Sequence, residues 1–143
     1  MSPLSTAAAM YVTGAQRLKF NEAVSRGHYT CAPDPGRHSY RMFDDAALVG
    51  LFIFARLTDD DLPPRLAGRW ACEIENVART RPEVTDVFFA HLTTGRPDII
   101  YGFDEMAQRK DVVRSRHFGL QAILKHIATL LKTIERVEGA PLV

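Results

Sequence analysis

The sequence predicts an α+β fold. Apolar residues recur at helical spacing in four segments within the first 80 residues. Twice, two short runs rich in aromatic or β-branched residues flank a Pro/Gly-containing turn. One long apolar stripe of helical period then closes the chain. The 143 residues suit one domain, or one small domain with an appended element. A hydrophobic content of 46 % with 24 % charged residues excludes disorder along most of the length.

Near the N-terminus, Ser5 or Thr6 caps a short helix over "AAAMYV", which Thr13-Gly14 interrupts. A second helix reads "AQRLKFNEAVSR". Phe20, Ala23 and Val24 share one of its faces, and Gly27 closes it. Two extended pieces follow, "HYTCA" and "SYRMF", joined by "PDPGRH". Proline fixes φ and glycine permits φ > 0, so a β-hairpin is expected. Asp44 or Asp45 caps the next helix, "AALVGLFIFARL", apolar on all sides and expected at the centre of the fold. "TDDD" ends it. Pro63 or Pro64 opens a helix striped by Leu66, Trp70, Ile74 and Val77, which Arg81-Pro82 stops. "VTDVFFAHL" and "IIYGF" read as strands of a second hairpin around "TTGRPD". The polar segment "DEMAQRKDVVRSRH" has no clear period. From about Gly119 a long helix carries Leu120, Leu124, Ile127, Leu131 and Ile134 in alternating steps of four and three, widened by Ile123, Leu130 and Val137. Gly139 and Pro141 end it.

The net charge is only +1, yet Arg17, Lys19, Arg26, His28, Arg37, His38 and Arg41 crowd one window. A near-neutral chain with one basic face still has an electrostatic footprint for phosphate. Helix, glycine turn and cationic second helix is the helix-turn-helix plan, whose second helix lies in the major groove. With Gly14 as the turn, Ala9, Ala15, Phe20 and Ala23 pack inward, while Gln16, Arg17 and Asn21 face outward. Asn and Gln read adenine edges and Arg reads guanine, so these three are the expected base readers. Leu18 also points outward, toward a thymine methyl if the register holds. Lys19 and Arg26 suit phosphates, His28 is a further expected DNA contact, and Arg37, His38 and Arg41 place the hairpin as a basic wing on the DNA backbone or minor groove.

The order "FNEAVSRGHYTCAP…GRHSYRMFDDAALVGLFIFARLTDD", followed by "LPPRLAGRWACEI", resembles the DNA-binding domain of the MerR family of transcription regulators. Arg26, Gly27, Tyr29, Gly36, Arg37, Arg41, Phe43, Asp44 and Asp45 carry the resemblance, which spans Thr6 to Arg79. It implies a winged helix-turn-helix that binds promoter DNA as a dimer; small phage-related bacterial regulators are the nearest kind. The strand pair before the last helix and the recognition helix "RLKFNEAV" depart from that family's usual pattern, and no effector-binding domain is evident.

The expected organisation is a DNA-binding domain over residues 5–81 and a hairpin plus dimerisation helix over residues 82–143. A seam of Leu120, Ile123, Leu124, Ile127, Leu130, Leu131 and Ile134 left uncovered on a monomer would be a large apolar patch. A homodimer is therefore expected, offering two recognition helices to a palindromic site. Cys31 and Cys72 are far apart with no CxxC pair, and "MSPLSTAAAM" lacks the features of a secretory signal. Free thiols in a reducing cytoplasm are expected, with Cys31 as a small apolar strand residue. His28, Cys31, His38 and Cys72 do not have the spacing of a metal finger, so no metal or other cofactor is expected. "AALVGLFIFA" is too short to span a membrane. No nucleophile elbow, P-loop or dinucleotide fingerprint occurs, and no enzymatic activity is expected. Two readings compete with a transcription regulator. One is an architectural, excisionase-like or packaging DNA-binding protein of phage type. The other is a protein-interaction module that uses the C-terminal helix.

Overall fold

The computed structural model describes residues 2–36 and 40–138, with side chains to residue 134. The elements run β1 (Leu4–Ser5), α1 (Thr6–Thr13), α2 (Arg17–Ser25), β2 (Met42–Phe43), α3 (Asp45–Asp59), α4 (Pro64–Thr80), β3 (Asp86–Leu92), β4 (Pro97–Tyr101), α5 (Phe103–Gln108), β5 (Val112–Gly119) and α6 (Leu120–Glu138). The mixed α and β composition agrees with the expected class.

Local chemistry sets several helix ends. The Ser5 hydroxyl accepts from the Ala8 N–H and caps α1. Gly14 ends α1 in the left-handed region at φ +74°, and its N–H returns to the Met10 carbonyl. After α2, the His28 N–H bonds the Ala23 carbonyl and the Gly27 N–H bonds that of Val24. Gly27 sits at φ +75°, which is the Schellman arrangement. The Asp44 carboxylate caps α3 through the Ala47 N–H at 2.9 Å.

α3 is the centre of the fold, with Leu48, Leu51, Ile53 and Phe54 essentially inaccessible. α4 packs along it, but not by the stripe that Leu66 and Trp70 suggest. Its buried face consists of Ala67, Gly68, Ala71, Ile74, Glu75 and Val77. Small residues let the two helices approach closely, and Leu66 and Trp70 lie half-buried at the margin.

Three expectations are corrected. First, "HYTCA" is not a strand, and β2 pairs antiparallel with β1 through Leu4↔Phe43 and Ser5↔Met42. Leu4 and Phe43 are both buried, so tertiary packing chose this pairing over a local hairpin. Arg37 and His38 lie outside the described residues, as do the helix-ending Gly139 and Pro141. Second, the polar segment without a period contains α5 and β5. The resulting antiparallel sheet has the order β4-β3-β5, with Val87↔Tyr101 and Val87↔Phe118 in register. Val87, Phe89, Ile99 and Phe118 face the main core, while Phe88, Ala90 and Ile100 form a second cluster with Met106 of α5.

Third, the seam of α6 is covered within the protomer. Leu120, Ile123, Ile127 and Ile134 are 3, 6, 0 and 7 % exposed, and Leu124, Leu130 and Leu131 are half-buried against the same core. The residues expected to form a dimer interface fill the protomer's own core, because α6 packs on α1 and α3. The reason for expecting a dimer, an uncovered stripe, is thereby removed. Among the described residues, no helix is long and apolar enough to cross a membrane.

Candidate nucleic-acid interface

The turn between α1 and α2 is built from three consecutive residues. The buried Thr13 hydroxyl donates to the Ala9 carbonyl at 2.7 Å and accepts from the Ala15 N–H at 3.3 Å. Gly14 reverses the chain between them. Beyond it, Gln16 takes the N-cap position of α2 and makes no capping bond with its side chain.

α2 is anchored by one face. Phe20 and Ala23 are 1 % exposed. The Phe20 ring packs against Tyr29 at 5.1 Å and Phe43 at 5.8 Å, and Tyr29 packs in turn on Phe54 at 5.1 Å. These contacts tie α2 and the segment after it to α3. They fix which side chains remain outside: Gln16, Arg17, Leu18, Asn21 and Arg26 are exposed, with Lys19 and His28 half-buried. Leu18, at 84 %, is an apolar side chain held in solvent.

Arg17 and Arg41, 24 positions apart in sequence, line one cleft of about 440 Å³ with Ser5, Thr6, Ala7, Tyr40 and Met42. The β1–β2 pairing brings Arg41 there, and its guanidinium also donates to the Pro33 carbonyl. Arg26 pairs with Glu22 at 3.1 Å near the other end of α2. There, Arg26 and His28 line a small hollow with Pro63, Pro64 and Arg65. Tyr40 and Arg65 were not among the sequence-derived site residues. Tyr40 lies in the same "SYRMF" run as Arg41, whereas Arg65 reaches the hollow only through tertiary packing. A larger cleft, about 730 Å³ and lined by Asp59, Asp60, Asp61, His91, Arg114 and Arg116, contains none of the expected site residues.

Behind α2 lies an arrangement that the sequence did not announce. Cys31 and Cys72 form a disulfide, which corrects the expectation of free thiols and of Cys31 as a strand residue. Glu75, buried on α4, places Oε1 3.5 Å from Cys31 Sγ. Arg79 joins Glu75, at 3.3 Å, to the Asp44 cap of α3, at 2.7 Å. Burial pushes the Glu75 carboxyl up to about 7, against the pull of Arg79. The hydrogen bond from Arg79 holds Asp44 below its ordinary value. Burial, reinforced by Glu75, raises the Tyr29 hydroxyl. Among the described residues, no group of His, Cys, Asp and Glu has the makings of a metal site.

A raised carboxyl binds its proton more tightly in the folded chain than in the unfolded one. Its contribution is full below about pH 4.5 and is lost as pH rises through about 7. Glu75 should therefore make the protein less stable by about 2 kcal/mol on going from pH 5 to pH 7. The groups around it, Arg79 and Asp44, keep their charges across that window. Urea unfolding of Glu75→Gln at both pH values checks this. The variant should flatten that decline, and a slope equal to the parent's would refute the assignment to Glu75.

No protein-family model and no curated protein matches the chain.

Proposed function

We propose that this protein binds duplex DNA in a sequence-specific manner through α2, as a transcription regulator. The observation that carries the proposal is the orientation of α2. Its apolar face is locked to the core by Phe20 and Ala23, so Gln16, Arg17 and Asn21 are left exposed at the start and along α2. These residue types read base edges in the major groove. The preceding helix, the three-residue turn and the second cationic residue in the same cleft, Arg41, support a helix-turn-helix mode of docking. Lys19, Arg26, His28 and Arg41 would take phosphates, which fix register without reading sequence. The likeness to the MerR family belongs to the same proposal. With the α6 seam buried in the protomer, docking is proposed for one protomer; sedimentation with and without duplex gives the number of copies per site.

The test is binding of the purified chain to random-sequence duplex DNA across a salt series. Neutralisation of about three phosphates by Lys19, Arg26 and Arg41 gives a slope of log K against log salt of about −2.7. Arg17→Ala should cost about 1–3 kcal/mol and relax selection at one base position if Arg17 reads guanine. A uniform loss with a slope smaller by about 1 would reassign Arg17 to a phosphate. Absence of binding at 50 mM salt would overturn the proposal and make the basic window an ordinary solvated surface.

A further inference from the structure

We propose that the Cys31–Cys72 pair is a thiol–disulfide exchange site whose oxidation state sets the affinity of this chain for DNA. The inference rests on the DNA-binding reading above and names its regulation. Cys31 belongs to the segment that leaves the end of α2, and Cys72 lies one helical turn beyond Gly68 on α4. Both cysteines are half-buried rather than sealed in the core. A protein that works on DNA shares a compartment with thiol pools that reduce disulfides. Disulfides found there are characteristically transient or redox-sensing.

The bridge sits where its loss is felt at the proposed interface. Residues 30–35 have no helix or strand of their own. They are held to α4 by the disulfide and by the Cys31 N–H, 3.2 Å from Cys72 Sγ. The same segment is bonded through the Pro33 carbonyl to Arg41. Arg26 and His28 precede the bridge, and Arg41 is tied to its far side. Opening it loosens the segment that holds Arg41, at one end of the interface, through the Pro33 carbonyl. A thiol at Cys31 would also face Glu75, which Arg79 links to the α3 cap directly after β2.

The exchange is a two-electron step. A thiolate of a dithiol reductant attacks one sulfur of the bridge and forms a mixed disulfide, expelling the other cysteine as thiolate. The second thiol of the reductant then displaces the remaining cysteine. The protein gains two electrons and two protons, and the reductant leaves as its own disulfide. Glutathione disulfide reverses the step, yielding two glutathione thiols and the Cys31–Cys72 bridge.

Ordering the segment before binding lowers the cost of association, so the oxidised chain is the tighter binder, by about tenfold. The experiment compares full-length protein oxidised with glutathione disulfide and the same sample reduced with dithiothreitol. Fluorescence anisotropy reports binding to duplex DNA at fixed salt, alkylation with mass measurement counts thiols, and circular dichroism follows the fold. The expected result is affinity about tenfold weaker after reduction, regained on reoxidation and reproduced by the double variant Cys31→Ser, Cys72→Ser. If that variant fails to fold, the reduced wild-type chain alone decides. Equal affinity in both states overturns the switch and leaves DNA binding standing. Binding in neither state overturns DNA binding, and the switch with it. A bridge that does not form, that resists dithiothreitol in the folded chain, or whose reduction unfolds the helices is no switch, and any of these results overturns the proposal.

Discussion

Replacing both Cys31 and Cys72 by serine is expected to lower the unfolding free energy by about 4 kcal/mol relative to the oxidised protein. The bridge joins residues 41 apart. Its main effect is on the unfolded chain, where it forbids the open conformations of that loop. Chain-entropy arguments give about 3 kcal/mol for a 15-residue loop and about 4.7 kcal/mol for a 100-residue loop. A loop of this length falls between them. Domains are commonly stable by about 5–15 kcal/mol, so the bridgeless protein should remain folded with a much smaller margin. Denaturant titration of the oxidised parent and the double variant measures the difference. A loss below about 1 kcal/mol would mean that the reduced chain is already constrained by local structure between α2 and α4.

The features legible in the sequence are those decided within a few residues. Ser5, Gly14, Gly27 and Asp44 mark helix ends because a cap needs only a side chain and a backbone group a turn away. The outward set on α2 follows from Phe20 and Ala23, whose spacing alone defines the buried face. Features decided at long range were not legible. Met42 and Phe43 read well as the second arm of a hairpin, but two residues specify no partner. Burial of Leu4 against Phe43 made the choice. β5 was hidden because it is an edge strand. Arg114, Ser115 and His117 are exposed, and its link to the main core shows only at Phe118. The α6 stripe has the period of a coiled-coil seam and of a core helix alike, and the packing against α1 and α3 decides between them. A pairing of Cys31 with Cys72 has no local signature at all. Glu75 gave no signal because a charged residue near the exposed Glu73 and Asn76 reads as part of the polar face, even though Ile74 beside it is buried.

Gly68→Ala is expected to destabilise the protein by about 3 kcal/mol, at the upper end of the cost of overpacking. An alanine Cβ at this position would lie 2.4 Å from the His28 carbonyl oxygen and 3.0 Å from its carbon. Both are backbone atoms, so no flexible side-chain end can swing away. Either α4 must move off the fold, or the turn after α2 must shift. That turn has little freedom. His28 N–H is bonded to the Ala23 carbonyl, and Tyr29 is wedged between Phe20 and Phe54. Alanine would otherwise favour the helix by about 1 kcal/mol over glycine. The sign of the measured change is therefore decisive: stabilisation would mean that α4 and the turn are not in contact. Gly68 and Cys72 are one helical turn apart on α4 and meet residues 28 and 31 in turn. One face of α4 therefore holds the whole exit from α2. If α2 reads DNA, Gly68→Ala should weaken DNA binding as well as stability, although it touches none of Gln16, Arg17 and Asn21. Thermal unfolding and anisotropy on the same preparation would show the two losses together.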